Sequence, residues 1–145
     1  MIEIEKMSLR DLEDIKEILT TEFDDFWSYN ILKEEIKKSD TVYIVAKQNE
    51  KIVGFAGFWI SPDDIQITNI VVRKNERKKG IGTLLFDKLI KEAKSTDKQE
   101  IFLEVNEKNI FAINLYKKFN FEEIGIRKKY YNGTDNAIIM KKILK

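Results

Sequence analysis

The chain has 145 residues, and 26 Lys and Arg against 25 Asp and Glu leave a formal net charge of +1, a near balance that argues against a protein built to coat DNA or RNA. Cys and His are both absent, which removes disulfides, thiolate nucleophiles, His-based triads in their usual form and His/Cys zinc sites, so a catalytic base must be Asp, Glu, Lys, Tyr or a water chain. The 43% hydrophobic and 35% charged composition, with no apolar run of membrane-spanning length and no signal-like leader at residues 1–6, predicts one cytoplasmic globular domain over residues 1–145 that binds neither membrane nor nucleic acid.

Residues 1–5 read as a strand. Ser8 is placed to cap a helix, Asp11 three positions on completes a capping-box pattern, and Leu12, Ile15 and Leu19 recur on one helical face. A second short helix is expected over residues 29–38, with Leu32 and Ile36 sharing a face. Between the two, Phe23, Phe26, Trp27 and Tyr29 put four aromatics into seven residues. They serve either to pack the helices onto a sheet or to wall a substrate groove. Residues 41–46 and 51–60 are strands joined through a short connection at 48–50. Residues 61–64 form a turn around the only proline. The strand at 65–72 changes phase, with Ile65 and Ile67 on one face, Ile70 and Val72 on the other, and Asn69 at the slip. A β-bulge produces such a change, and so does a fully buried strand end.

The next segment is the most informative. Arg77-Lys78-Lys79-Gly80-Ile81-Gly82 follows that strand and opens a helix over residues 80–94, whose expected buried stripe is Ile81, Leu84, Leu85, Leu89 and Ala93. Unpaired N–H groups of a first helical turn point outward and favour anions, and glycine lets a phosphate approach the backbone closely. Arg73, Lys74, Arg77, Lys78 and Lys79 surround the turn with Glu76 as the only local acid, a field suited to several phosphates. The dinucleotide fingerprint and the P-loop are absent. Residues 100–105 form a strand with Ile101, Leu103 and Val105 on one face and Phe102 and Glu104 on the other. Residues 109–119 are helical, with Ala112, Tyr116 and Phe119 on one face. Strands follow at 121–127 and 135–142, and Tyr130-Tyr131-Asn132-Gly133 occupies the connection, where Asn-Gly is a turn signal. The order β-α-α-β-β-β-α-β-α-β-β predicts an α/β fold with a mixed sheet and helices on both faces.

Several segments together resemble the GNAT N-acetyltransferase superfamily. They are Arg-x-x-Gly-x-Gly at 77–82, Ile67-Thr68-Asn69-Ile70-Val71-Val72, Leu103-Glu104-Val105, Asn109 with Ala112-Ile113-Asn114-Leu115-Tyr116, Phe121, Arg127-Lys128-Lys129-Tyr130-Tyr131, Ala137-Ile138-Ile139-Met140, and Trp27-Ser28. Within the superfamily the chain is most similar to the bacterial ribosomal-protein-alanine acetyltransferases and archaeal N-terminal acetyltransferases. The resemblance implies the GNAT fold, a mixed, mostly antiparallel central sheet flanked by helices, with acetyl-CoA as co-substrate and no metal. It implies transfer to a protein N-terminal α-amine, with the alanine of ribosomal protein S18 as the expected acceptor.

The same resemblance assigns residues. Backbone groups of Ile70, Val71 and Val72 would pair with pantetheine. Arg77 opens the motif, and Lys78, Lys79, Gly80, Ile81, Gly82 and Thr83 would wrap the pyrophosphate. Asn109 would bind the pantetheine region. Glu104 matches the general base and Tyr116 the general acid. Trp27, Tyr29, Tyr130 and Tyr131 would flank the incoming peptide. The phase of Glu104, off the Ile101/Leu103/Val105 face, agrees with its role, and a backbone N–H near Val71 or Val72, freed by a bulge, is the natural oxyanion donor. Read without the resemblance, Glu104 is equally an exposed strand glutamate and Tyr116 a core tyrosine. Three departures stand out: Asn106-Glu107-Lys108 replaces the family's Arg-x-Ser before Asn109, Phe26 replaces a proline, and Asn136 replaces a carboxylate. Two alternatives stay open, an acetyltransferase for protein lysines or small amines and a non-catalytic acetyl-CoA-binding or protein-interaction module.

Overall fold

The strands of this chain carry apolar side chains on both faces, and the two sets are buried separately. The computed structural model describes residues 1–23, 28–131 and 133–145, with the side chains of 129–131 excepted. Its elements are β1 (Ile2–Lys6), α1 (Leu9–Ile15), α2 (Leu19–Glu22), α3 (Tyr29–Lys37), β2 (Thr41–Gln48), β3 (Lys51–Ile60), β4 (Ile65–Val72), α4 (Ile81–Lys94), β5 (Glu100–Asn106), α5 (Ile110–Lys118), β6 (Glu122–Tyr131) and β7 (Asp135–Ile143). In β2, Tyr43 and Val45 face one core with Leu12, Ile15, Leu19 and Leu32 of α1 to α3. Ile44 and Ala46 face the other, with Leu85, Phe86 and Leu89 of α4 and Ile113 and Tyr116 of α5. The period-2 alternation of a strand thus feeds two helical layers, and the expected order and helices on both faces are present.

The sheet has seven strands in the order β1-β2-β3-β4-β5-β7-β6. Every neighbouring pair is antiparallel except β4 with β5. That parallel pair requires a crossover connection, which α4 supplies. Its register covers only Ile65↔Ile101 and Gln66↔Phe102. Beyond those two pairs the strands separate.

Local expectations meet three adjustments. The first helix breaks: a 3-10 turn at Lys16–Ile18 separates α1 from α2, yet Leu12, Ile15 and Leu19 all stay buried. Leu84 is 46% exposed, and Phe86 and Ile90 are buried in its stead. The buried arc of α4 centres on Leu89, and at about 100° per residue Leu84 lies about 140° away from it. The backbone of Tyr130 and Tyr131 belongs to β6 rather than to the connection, with Tyr131 opposite Asp135. Gly133 has φ +70°, a left-handed conformation suited to glycine, and Asn132 and Trp27 lie outside the described residues.

The expected capping box is formed. Ser8 Oγ accepts from the Asp11 backbone N–H at 3.1 Å, and Asp11 Oδ2 accepts from the Ser8 N–H at 2.8 Å. Asp11 also takes Lys47 Nζ of β2 at 2.9 Å, so one buried carboxylate ties α1 to the sheet. Burial pushes its pKa up, but the Lys47 and Ser8 hydrogen bonds outweigh burial and hold it below the usual value. A depressed carboxylate contributes stability above its unfolded-state pKa of about 3.9 and loses it as pH falls through the folded value. Asp11→Ala is expected to cost roughly 1–2 kcal/mol at pH 7. In urea melts across pH, its deficit against the parent should narrow below about pH 4; a deficit independent of pH would contradict the role of the ionised carboxylate.

Candidate active site

Where β4 and β5 part, a cleft of about 680 Å³ opens. One lip is β4 from Ile67 to Val72, the other is Leu103 to Asn106 of β5, and α4 and α5 enter between them. Strand edges that lose their neighbour carry backbone N–H and C=O groups that need other partners. The cleft therefore presents one unpaired edge of β4 to whatever enters.

The phase change in β4 is a bulge. Gly57 lies opposite Asn69 and Phe58 opposite Ile67, so Thr68 is the extra residue. Three polar contacts hold it. The Tyr43 hydroxyl donates to Asn69 Oδ1 at 2.9 Å and lies 3.0 Å from Thr68 Oγ1, which reaches the Gly57 carbonyl at 3.2 Å. The Tyr43 ring crosses Gly57 so closely that a Cβ there would fall 2.3 Å from it, so only glycine fits. Val71 and Val72 keep regular partners in Phe55 and Gly54. The bulge therefore does not free their backbone, contrary to the expectation from sequence. The departure of β5 is what frees the outer edge of this segment.

At the deep end of the cleft, the turn into α4 puts Lys78 at φ +66° and Gly80 at φ +81°. Gly80 is the N-cap of the 14-residue α4 and makes no side-chain cap hydrogen bond, so the first-turn N–H groups are left for another partner. A Cβ at Gly80 would meet nothing within 4 Å, and one at Gly82 only Val72 Cγ2 at 3.7 Å. Packing therefore does not demand glycine at 82. Arg77, Lys78, Gly80, Ile81, Gly82 and Thr83 line the cleft, and Arg77 Nε donates to the Val72 carbonyl at 3.2 Å. Lys79 is turned aside to Glu76 Oε1 at 3.0 Å. Lys79 and then Lys51 hold the Glu76 carboxyl below its usual range. Arg73 is buried beside Glu22 Oε1 at 3.1 Å and over the Phe23 ring. The basic field expected around the turn is thus thinned by internal pairing.

The remaining candidates divide. Glu104 and Tyr116 both line the cleft. Strand alternation turns Glu104 away from the buried Ile101, Leu103 and Val105, and its Oε1 meets Arg127 Nη2 of β6 at 2.9 Å. Tyr116 is held in the core by Phe86, with ring centroids 4.9 Å apart. Phe86 also packs on Phe119 and Phe121, contacts worth about 0.5–1.5 kcal/mol each. Asn109 lines the cleft as the N-cap of α5, its Oδ1 accepting from the Ala112 N–H at 3.1 Å. Tyr29 does not line it: its hydroxyl bonds Glu13 and its ring lies under Lys16 and Lys33 on the α1–α3 surface. Trp27 and the side chains of Tyr130 and Tyr131 lie outside the described residues. Sequence reasoning missed Phe111, a 76% exposed phenylalanine on the rim, and the pairing of Arg127 with Glu104. A large apolar residue beside a helix cap was the only available signal for Phe111; no local signal existed for the ion pair.

The departures at 106–108 and 135–136 meet in space. Asn106 Nδ2 donates to Asp135 Oδ2 at 3.1 Å and Lys108 Nζ pairs with Asp135 Oδ1 at 2.9 Å. Lys108 and then Asn106 hold the Asp135 carboxyl below its usual range. Glu107 and Asn136 exchange three further hydrogen bonds.

Known proteins place this geometry. The Acetyltransferase (GNAT) family matches residues 10–121. A candidate ribosomal protein bS18-alanine N-acetyltransferase of Bacillus subtilis (strain 168) is 35% identical over 140 residues, 94% of this chain and 92% of its own length. An N-alpha-acetyltransferase of Sulfolobus acidocaldarius is 30% identical over 151 aligned positions, 95% of this chain and 90% of its own. The crystal structure of the ribosomal-protein-S18-alanine N-acetyltransferase from Escherichia coli superimposes with a TM-score of 0.90 at 28% identity, covering 100% of this chain and 95% of that one.

A methyl group at 82 separates the fold from the cradle. Gly82→Ala is expected to leave thermal stability unchanged or raise it by up to about 1 kcal/mol, because alanine is the better helix residue. The same change should weaken acetyl-CoA binding roughly tenfold or more by calorimetry, by blocking close approach to the backbone. Unchanged affinity would remove Gly82 from the binding surface.

Proposed function

The chain belongs to the acetyltransferase (GNAT) family and uses acetyl-CoA as its co-substrate, and on that premise we propose that it transfers the acetyl group to the N-terminal α-amine of a protein, with the alanine of ribosomal protein S18 in the cytoplasm as the acceptor its relatives suggest. The observation that carries the reading is a single cleft lined by the α4 cradle at one end and by Glu104 and Tyr116 at the other.

The chemistry needs a neutral amine. An α-amine has a pKa of about 7.7–8.0 and a lysine about 10.4, so at pH 7 deprotonation costs about 1 kcal/mol for the first and about 4–5 kcal/mol for the second. One carboxylate, acting directly or through water, suffices for an α-amine. Glu104 serves as that base. Its side chain is 28% exposed and Arg127 opposite it is 54% exposed. An exposed pair of this kind is worth about 1 kcal/mol or less, so Arg127 orients the carboxylate without preventing an incoming ammonium from reaching it. The amine nitrogen attacks the thioester carbonyl, the C–N bond forms and the C–S bond breaks, Tyr116 supplies the proton to the leaving sulfur, and the proton that nitrogen sheds as the amide forms reprotonates the phenolate through water. Backbone N–H groups on the unpaired edge of β4 face the charge that develops on the carbonyl oxygen. The Gly80–Thr83 turn and α4 N-terminus hold the pyrophosphate, and Asn109 the pantetheine.

Glu104→Gln and Tyr116→Phe are each expected to lower kcat/KM at pH 7 by roughly 10²-fold while leaving acetyl-CoA affinity unchanged. The Glu104→Gln deficit should shrink above about pH 8, where the α-amine is already neutral. Neither variant slowing transfer at any pH would overturn the assigned roles. A panel of peptides with free or blocked N-termini, read by mass spectrometry, tests the acceptor. Acetylation confined to free N-termini supports the reading; acetylation persisting on blocked peptides with internal lysines selects the lysine alternative.

A further inference from the structure

The segment that joins β5 to α5 at the cleft is tied to the β6–β7 hairpin beside it by one set of side chains. The end of β5 contributes Asn106, and the loop before α5 contributes Asn109, to the cleft lining. The β6–β7 hairpin carries Arg127, which reaches Glu104, on one strand and Asp135 at the start of the other. Between them, Asn136 donates its backbone N–H to Glu107 Oε2 at 2.9 Å and its side-chain Nδ2 to Glu107 Oε1 at 3.3 Å, while the Glu107 N–H donates to the Asn136 carbonyl at 3.0 Å. One carboxylate grips two donors of one residue, and its own backbone closes the ring.

We propose that Glu107 and Asn136 form a positioning pair that fixes the β6–β7 hairpin against the β5–α5 loop and thereby sets where the acceptor's N-terminus lies relative to Glu104. The inference rests on the α-amine reading above. The polarity of the pair is specific. Position 136 must offer a side-chain donor, because a carboxylate there would oppose Glu107 at hydrogen-bond distance. Charge-assisted bonds to an ionised carboxylate are about twice as strong as neutral ones, so the clamp is stronger than an amide–amide contact in the same place. Asn106 and Lys108, both on Asp135, brace the adjoining residue, and the Glu107–Asn136 pair sits just past the last β5–β7 ladder pair, Asn106↔Ala137. The pair touches neither cradle nor base; it acts through the elements that carry them.

Asn136→Asp sets two carboxylates against each other and is expected to raise the acceptor-peptide KM roughly tenfold, the size of one lost charge-assisted bond, with acetyl-CoA affinity by calorimetry unchanged. Glu107→Gln alone should be tolerated, because the Asn136 amide can turn over and accept from the new donor. The double variant E107Q/N136D exchanges donor and acceptor at constant net charge and should restore the KM. A purely structural role would lower melting temperature without this selective KM effect or its rescue. Amide hydrogen exchange at Glu107 and Asn136 supplies a readout independent of transfer, expected to be faster in N136D and restored in the double variant. If N136D fails to fold, Glu107→Ala, which removes the carboxylate from Asn136, carries the same comparison. An unchanged KM in the single variant, or no rescue in the double, overturns the proposal. Should the parent acetylate no peptide α-amine, the functional reading fails, and the exchange pattern still decides for or against the clamp.

Discussion

Everything functional in this protein depends on two strands that pair briefly and then part. β4 and β5 share two residue pairs, Ile65 with Ile101 and Gln66 with Phe102. The sheet is therefore two antiparallel blocks, β1–β4 and β5-β7-β6, joined at one corner. Leaving a strand edge unpaired costs about 1–3 kcal/mol for each polar group that is buried without a partner. Here the edge opens onto a cleft, so water can satisfy it until a ligand does. Helix α4 makes the opening tolerable from beneath: Ile81, Leu85, Phe86 and Leu89 are fully or almost fully buried, each such side chain contributing about 1.5–3 kcal/mol relative to exposure. The crossover that the parallel pair requires and the helix N-terminus that faces the opening are one element.

The two lips are fixed by different means. On β4 the hold comes from two strands away in the same sheet: Tyr43 of β2 passes over Gly57 of β3 to hold Thr68 and Asn69. Its ring belongs to the core beneath α1–α3, so the shape of the cleft is coupled to packing on the opposite face of the sheet. On the β5 side the restraint is polar and half-buried, running through residues 106–108 and 135–136. Tyr116 is anchored by neither route but by the aromatic contacts of Phe86, which makes α5 a rigid continuation of the α4 core.

Features set by neighbours along the chain were legible in the sequence. The Ser8/Asp11 box, the alternation that buries Ile101, Leu103 and Val105 and turns out Glu104, and the glycine turn into α4 are local patterns of capping, period and φ. The bulge was legible as a phase change at Asn69, though which residue it released and for whom was not. What the side chains pair with in the fold was not legible: Lys79 pairs with Glu76, Tyr29 bonds Glu13 on α1, and Arg73 is buried beside Glu22. Leu84 was assigned to the core because spacing alone does not say where the centre of a helix's buried arc lies.

The sequence by itself determined the order of elements, the glycine turn into α4 and the outward phase of Glu104, because helix caps, strand phase and glycine conformations are written in short stretches of chain. Only the tertiary structure decided that β4 and β5 separate after Gln66 and Phe102, that Arg127 meets Glu104 from β6, and that Glu107 answers the amide at Asn136. Those contacts join residues 20 to 40 positions apart in numbering, and a pairing across that distance is set by sheet register and packing, which no local pattern carries.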